Sequence, residues 1–150
     1  MKMKNLKTML SSKDMTWETP QDFFDTLDLE FNFTLDACAT KENAKCERYF
    51  TPEIDGLKQD WQGQNVFCNP PYGSEIKHWV KKCYTEGQKP ETLVVMLIPA
   101  RTDTAYFHNY IYGKAEIRFI RGRLKFVGKQ KGSGSAPFPS MLVIYKHPSL

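Results

Sequence analysis

The sequence has 150 residues, of which 41% are hydrophobic and 13% aromatic, so the chain can bury one core and global disorder is not expected. Its formal net charge of +4, from 21 basic and 17 acidic residues, permits a nucleic-acid partner without requiring one. No apolar run approaches the roughly 20 residues needed to span a bilayer, and no signal-like segment opens the chain, so we expect a cytoplasmic protein.

The spacing of cysteine and histidine favours no metal site. Four cysteines (Cys38, Cys46, Cys68 and Cys83) are far apart and form no Cys-x-x-Cys pair, and the three histidines share no ligand spacing. We therefore expect buried thiols in a reducing compartment and no bound metal.

The N-terminal part predicts an arm, a helix and a strand. Residues 1–15 are polar and basic and predict a flexible arm, which a single domain over residues 16–150 follows. Thr19-Pro20-Gln21-Asp22 predicts a helix start with Thr19 as N-cap, and Phe23, Phe24 and Leu27 would face the core. Alternation in Phe31–Leu35 predicts a strand that ends at Asp36, and residues 37–64 show no long periodic stretch.

The middle of the chain predicts a strand, a tight turn, a helix and a second strand. Val66–Cys68 is a short apolar run before the turn Asn69-Pro70-Pro71-Tyr72, and Ser74 can cap a helix that ends near Gly87. The core side chains of that helix would be Ile76, Trp79, Val80, Cys83 and Tyr84. The unbroken apolar run Leu93–Ile98 predicts a central parallel strand that is buried on both faces.

The last third predicts a helix near Thr104–Ile111 and strands over residues 116–120, 124–127 and 141–145, with a flexible basic loop at 128–135. The 32 residues between Asp36 and Asn69 allow about one strand–helix–strand crossover, which takes about 30 residues. The expected fold is therefore an α/β sheet with few crossovers, mostly parallel with an antiparallel end.

The turn Asn69-Pro70-Pro71-Tyr72 carries the clearest chemical signal. The two prolines fix the main chain, so the Asn69 side chain and the Pro70 carbonyl could face one point, and both are hydrogen-bond acceptors. Two acceptors suit an exocyclic NH2 group, and Tyr72 offers a flat face for the ring that carries it. This is the local pattern of enzymes that transfer a methyl group from S-adenosylmethionine to a planar nitrogen.

Several functions share this turn. Methylation of an RNA base, of cytosine N4 or of a protein glutamine stays open as an alternative, as does a catalytically silent DNA-binding module. Cytosine-C5 methylation is disfavoured because it needs a cysteine nucleophile, usually after a proline, whereas Cys68 follows Phe67.

Beyond this turn, motifs along nearly the whole chain resemble the small, phage-type (Dam-like) DNA N6-adenine methyltransferases. The markers, in order, are Trp17-Glu18-Thr19-Pro20, Leu35-Asp36-Ala37-Cys38-Ala39, Asp55-Gly56-Leu57, Asp60-Trp61, Asn69-Pro70-Pro71-Tyr72-Gly73, Leu97–Asp103, Gly122–Phe126 and Ala136–Ser140. The resemblance implies a Rossmann-like S-adenosylmethionine-dependent sheet without a separate target-recognition domain. Two features depart from the family pattern. Relatives often carry Asp at the position of Asn69. The glycine-rich loop that usually follows the first strand is absent, since no glycine follows Asp36 until Gly56.

The resemblance also implies roles for individual residues. Asn69, Pro70, Pro71 and Tyr72 would be the catalytic motif, acting on an adenine that is flipped out of double-stranded DNA, and Phe138 would stack on that base. Residues expected to hold the cofactor are Trp17, Thr19, Pro20, Asp36, Ala37, Asp60 and Asn69.

Residue types suggest further contacts. For Asp60 an Asx-turn or a cap is the alternative to cofactor binding. Arg101, Arg123, Lys129 and Lys131 would contact the DNA backbone, although Arg101 could instead pair with Asp103.

Overall fold

The computed structural model describes residues 15–128 and 134–150, so the predicted arm up to residue 14 and the predicted DNA contacts Lys129 and Lys131 lie outside the described residues. The helices are α1 (Gln21–Phe31), α2 (Ile76–Gly87) and α3 (Ala105–Tyr110), with one short 3₁₀ turn at Gly56–Lys58. The strands are β1 (Leu35–Asp36), β2 (Asn65–Cys68), β3 (Leu93–Pro99), β4 (Glu116–Phe119) and β5 (Ser140–Lys146).

Within the described residues, the strands form a single mixed sheet in the order β1-β2-β3-β5-β4. β1, β2 and β3 pair in parallel, whereas β5 pairs antiparallel with both β3 and β4. β4 consequently points the same way as the first three strands, and the reversed strand β5 lies between β3 and β4. The predicted α/β class is confirmed, as is the sheet that begins parallel and has an antiparallel end.

These strand directions bring distant parts of the chain to one edge of the sheet. The carboxyl ends of β1 to β4 and the amino end of β5 share that edge, which places the residues after Asp36, Cys68 and Pro99 beside those before Ser140. Ligands of open α/β sheets bind outside the carboxyl ends of the strands. The fold therefore gathers the Asn-Pro-Pro-Tyr turn, Arg101 and Phe138 around one region.

The strands β2, β3 and β5 are buried on both faces of the sheet, to which their successive side chains point alternately. Alternate residues of β2 and β3 pack with α2 and α3 on one face, for example Val66 with Trp79. The remaining residues, such as Phe67 and Val95, pack with Phe24 and Leu27 of α1 on the other face. The predicted burial of β3 on both faces is confirmed, since all of its residues are buried.

Three local predictions are wrong. Thr19 does not cap α1: the N-cap is Pro20 without a side-chain bond, and the Thr19 hydroxyl bonds elsewhere. Ser74 does not cap α2, whose N-cap is Glu75. Residues 124–127 form no strand, because Val127 makes a single bridge to Glu18 and its neighbours add no ladder.

The predicted strand at Phe31–Leu35 is also shorter than expected. Phe31 closes α1, Asn32 adopts the left-handed conformation (φ 55°), and only Leu35 and Asp36 join the sheet. An αL residue directly after a helix satisfies its final carbonyl groups, and Asn tolerates that conformation better than most residues.

Gly87 lets α2 approach the sheet closely. A Cβ at this position would lie 2.4 Å from the Cβ of Tyr145 in β5, closer than non-bonded carbon atoms come. The helix does end at Gly87, as predicted, but the residue that follows it is right-handed. Close packing, not a left-handed cap, therefore requires glycine here.

Among the described residues, no helix is both long and apolar enough to cross a bilayer. The same residues contain no cluster of three or more side chains suited to hold a metal ion.

Candidate active site at the carboxyl edge of the sheet

The Asn69 side chain is held by the segment that precedes α1, residues 15–20, called here the N-terminal segment. Asn69 Nδ2 donates to the carbonyl oxygen of Trp17 and to Thr19 Oγ1, the latter at 2.9 Å. The main chain beside it is fixed as well, since the Tyr72 amide donates to the Met15 carbonyl at 2.7 Å. The N-terminal segment thus lies across the turn that carries Asn69.

These bonds determine which way the amide points. The Trp17 carbonyl can only accept a hydrogen bond, so the NH2 group of Asn69 and not its oxygen must face it. Asn69 Oδ1 is left buried without a hydrogen-bond partner among the described residues. A buried unpaired acceptor costs about 1–3 kcal/mol, so such an oxygen in a native site calls for a donor.

A pocket opens beside this amide and collects four of the predicted cofactor residues. Trp17 and Thr19 line it from the N-terminal segment, Asp36 from the end of β1 and Asn69 from the turn after β2. Pro71 lines the same pocket. These residues therefore meet at the carboxyl edge of the sheet.

A second pocket adjoins the first. The two share Cys38, Pro52 and Pro71, and the second is also lined by Asp55 and Trp79. Trp79 Nε1 is a buried donor without a partner among the described residues. The two pockets together offer three acidic side chains (Asp36, Asp55 and Glu75), a buried N–H group and apolar walls, which suits a ligand that is part polar and part aromatic.

Asp36 is a buried acid at the end of β1. Its carboxylate accepts from the Lys45 amide at 3.0 Å and from the Cys38 amide at 3.3 Å. Burial raises the pKa of Asp36 to about 6, and these backbone hydrogen bonds offset only part of that effect. A carboxyl group with this pKa beside a pocket is a candidate for ligand contact.

Four aromatic side chains surround the turn. The rings of Trp17 and Tyr72 meet the Phe138 ring edge-on, with centroid separations of 5.0 and 5.7 Å, and Phe126 packs beside all three. The Tyr72 hydroxyl donates to the Leu97 carbonyl at 3.0 Å, and burial raises its pKa. Tyr72 and Phe138 are inclined by 78°, so they form no parallel slot, and a base could stack between them only after one ring has turned.

Three residues that the resemblance assigned to the cofactor do not line these two pockets. Pro20 caps α1, and Ala37 is fully buried with its amide bonded to the Phe67 carbonyl. Asp60 accepts from the Gln62 amide at 3.0 Å and pairs with Lys89 at 2.9 Å. The bond from the Gln62 amide makes an Asx-turn, which is one of the two roles predicted for Asp60.

The predicted DNA contacts that the structure describes lie near the aromatic cluster. Arg101 is exposed, and it lines a groove with Thr102, Asp103 and Phe138. Arg123 donates to the Ala136 carbonyl at 3.3 Å and so ties the loop that carries Phe138 to the chain after β4.

Sequence reasoning missed Asp55 as a site residue. Asp55 has a positive φ of 63°, uncommon for a non-glycine residue, and its side chain accepts from the Leu57 amide. A Cβ on the following Gly56 would come within 2.2 Å of the Ala37 carbonyl, so glycine is needed where this loop meets the end of β1. The pair Asp55-Gly56 indicates a turn in the sequence, but the sequence alone does not indicate which pocket that turn lines.

Comparison with known proteins adds an independent finding. The family model described as "DNA N-6-adenine-methyltransferase (Dam)" matches residues 5–149. The chain is 32% identical over 149 residues to the DNA N-6-adenine-methyltransferase of Haemophilus phage HP1 (strain HP1c1), covering 96% of this chain and 85% of that protein. It is 34% identical over 110 residues to the protein of the same name from Escherichia phage T1, covering 72% of this chain and 45% of that protein.

Proposed function

The chain belongs to the DNA N-6-adenine-methyltransferase (Dam) family, and we propose that it transfers a methyl group from S-adenosylmethionine to the exocyclic N6 of adenine in double-stranded DNA. The order and direction of its strands support a trimmed Rossmann-like methyltransferase sheet, with ligands at the shared carboxyl edge.

The observation that carries this proposal is the Asn69 oxygen, for which residues 15–128 and 134–150 supply no hydrogen-bond partner. Asn69 Oδ1 is buried and oriented by the bonds of Nδ2, so it is a preorganised acceptor for one N–H of an adenine amino group. The Pro70 carbonyl would accept the other N–H. With both N–H bonds held, the nitrogen lone pair, which is normally delocalised into the ring, becomes available to attack the methyl group.

The residues present also fit the cofactor. S-adenosylmethionine supplies an electrophilic methyl group on a positively charged sulfur, together with an aromatic adenine. Trp17 and the acid Asp36 line the first pocket, while Asp55 and the unpaired Trp79 N–H line the second. We propose that these four side chains hold the cofactor, with the anionic form of Asp36 favouring the cationic end.

Access to N6 requires the adenine to leave the duplex, which costs a few kcal/mol. Stacking on an aromatic ring stabilises the flipped base by about 1–3 kcal/mol per contact. Tyr72 and Phe138 flank the Asn69 turn and are the aromatic residues proposed to stack on the base, once their present edge-on arrangement has opened. Arg101 at the same edge, with Lys129 and Lys131, would neutralise backbone phosphates.

The remaining chemistry needs no covalent intermediate. Asn69 is neutral, so it orients the amino group instead of removing its proton, and the surplus proton leaves to water after the methyl transfer. By analogy with other preorganised donors and acceptors, loss of this acceptor raises the barrier by about 3 kcal/mol, roughly a hundredfold in rate.

The test is mass-spectrometric nucleoside analysis of unmethylated duplex DNA incubated with the protein and methyl-deuterated S-adenosylmethionine. The wild type should yield labelled N6-methyldeoxyadenosine, and soluble, folded Asn69→Ala protein should yield at least a hundredfold less. Label on cytosine, or only in a parallel RNA sample, would refute the assignment to DNA adenine. Full activity of the Asn69→Ala protein would refute the role of that side chain.

A further inference from the structure

We propose that Thr19 is a positioning residue for catalysis: together with the Trp17 carbonyl, its hydroxyl locks the Asn69 amide with its oxygen toward the substrate. The inference rests on the proposed function and deepens it. It replaces both roles that the sequence suggested for Thr19, a helix cap and a cofactor contact.

The hydroxyl of Thr19 is well placed for this role. Thr19 is only 2% exposed, and its Oγ1 lies 2.9 Å from Asn69 Nδ2 across 50 residues of sequence. The N-terminal segment that carries Thr19 is itself held in place, because the Glu18 carbonyl accepts from the Val127 amide at 2.9 Å. The hydroxyl is therefore fixed relative to the catalytic turn.

An unlocked amide would be unproductive. Rotation of the Asn69 amide by 180° would place its NH2 group where the adenine amino group must donate, so two donors would face each other. Only one of the two orientations supports methyl transfer. The two acceptors that hold Nδ2 therefore select the reactive orientation before the base arrives, which is preorganisation and not ground-state binding.

The same geometry explains why position 69 needs an amide. A carboxylate there would place a charged oxygen against the Trp17 carbonyl oxygen, which cannot donate. Thr19 could turn its hydroxyl to donate, but the backbone carbonyl has no such freedom. The N-terminal segment of this chain thus selects Asn over Asp.

The test compares Thr19→Val, which keeps the size and removes the acceptor, with Thr19→Ser, which retains the hydroxyl. Thr26→Val is the matched control, because Thr26 makes an exposed hydroxyl bond within α1 and lies outside the site. Steady-state kcat and the KM for S-adenosylmethionine are measured on duplex DNA, with the thermal midpoint of each protein and its shift with S-adenosylhomocysteine.

We expect Thr19→Val to lower kcat about tenfold with an unchanged KM for the cofactor, Thr19→Ser to restore most of it, and Thr26→Val to match the wild type. A raised KM with unchanged kcat would overturn the inference in favour of a cofactor contact. A lower thermal midpoint with unchanged kcat would overturn it in favour of a purely structural role.

Asn69→Asp gives a second test that leaves Thr19 intact, in case Thr19→Val does not fold. It should keep the thermal shift with S-adenosylhomocysteine and lose at least tenfold in kcat, and wild-type kcat would overturn the inference. If the wild type is active and Asn69→Ala inactive, an active Thr19→Val protein refutes only the locking role. No labelled adenine from the wild type would refute the proposed function and this inference together.

Discussion

The buried carboxyl group of Asp36 makes the stability of this protein depend on pH in an unusual direction. Its pKa is raised from 3.8 to about 6 in the folded state, mainly because burial penalises the charged form. The folded protein therefore holds this proton more tightly than the unfolded chain does. The stabilisation from protonated Asp36 is fully present below about pH 3.8 and is lost as the pH rises through about 6.

The size of the effect follows from that difference. Each pKa unit corresponds to about 1.4 kcal/mol, so the full loss is about 3 kcal/mol, and about 2 kcal/mol of it falls between roughly pH 4.5 and 7.5. Asp36→Asn removes the titration. It also loses one hydrogen bond, because the Cys38 and Lys45 amides donate to different oxygens of the carboxylate and Asn has only one oxygen. That second cost does not depend on pH, so the two contributions can be separated.

The assay is urea unfolding of the wild type and Asp36→Asn at a series of pH values, followed by the fluorescence of the buried Trp61 and Trp79. Acidification from pH 7.5 to 4.5 should raise the free energy of unfolding of the wild type by about 2 kcal/mol relative to that of Asp36→Asn. Exposed Asp25 supplies the control variant, Asp25→Asn. A wild-type-to-Asp36→Asn difference that stays constant across this range would refute the burial argument.

Two further predictions concern packing and DNA binding. Gly87→Ala should lower the free energy of unfolding, measured by urea titration, by about 1–3 kcal/mol, because the new Cβ would collide with Tyr145. This loss should exceed the gain from the better helix propensity of Ala, and unchanged stability would contradict the close packing. Replacing Lys129 and Lys131 with Ala should reduce the slope of log K against log salt for duplex DNA by about 2, measured by fluorescence anisotropy. Lys146→Ala, at the opposite edge of the sheet, should leave the slope unchanged, and an unchanged slope for the double variant would exclude the loop from the interface.

The parts of the fold that the sequence predicts well are those governed by local pattern. The helix over Ile76–Gly87 and the strand Leu93–Pro99 follow from a helical apolar stripe and an unbroken apolar run, and both lie within a few residues of the predicted bounds. The α/β class follows from their succession. The prolines after Asn69 predict where β2 ends, because they restrict the main chain irrespective of distant contacts.

The failures arise where a distant partner decides the outcome. Thr19 has the residue type of an N-cap, but its hydroxyl bonds to Asn69 instead, a competition that no local window contains. Residues 124–127 have the composition of a strand, yet the sheet edge beside β5 is taken by β4. Asp60 and Asp55 look alike in sequence, and only the return of the loop to Ala37 decides that Asp55 lines a pocket beside the site.

The hydrogen bonds that hold Asn69 span 50 and 52 residues of sequence, which has a consequence for folding. Both bonds need the turn that carries Asn69 to be in place, and β2 and β3 position that turn through pairs such as Asn65 with Leu93, which are closer in sequence and cost less loop-closure entropy. The parallel strands can therefore pair while the amide of Asn69 still rotates freely. Catalytic competence should therefore appear after the bulk of the tertiary structure, when the N-terminal segment docks across the finished edge of the sheet.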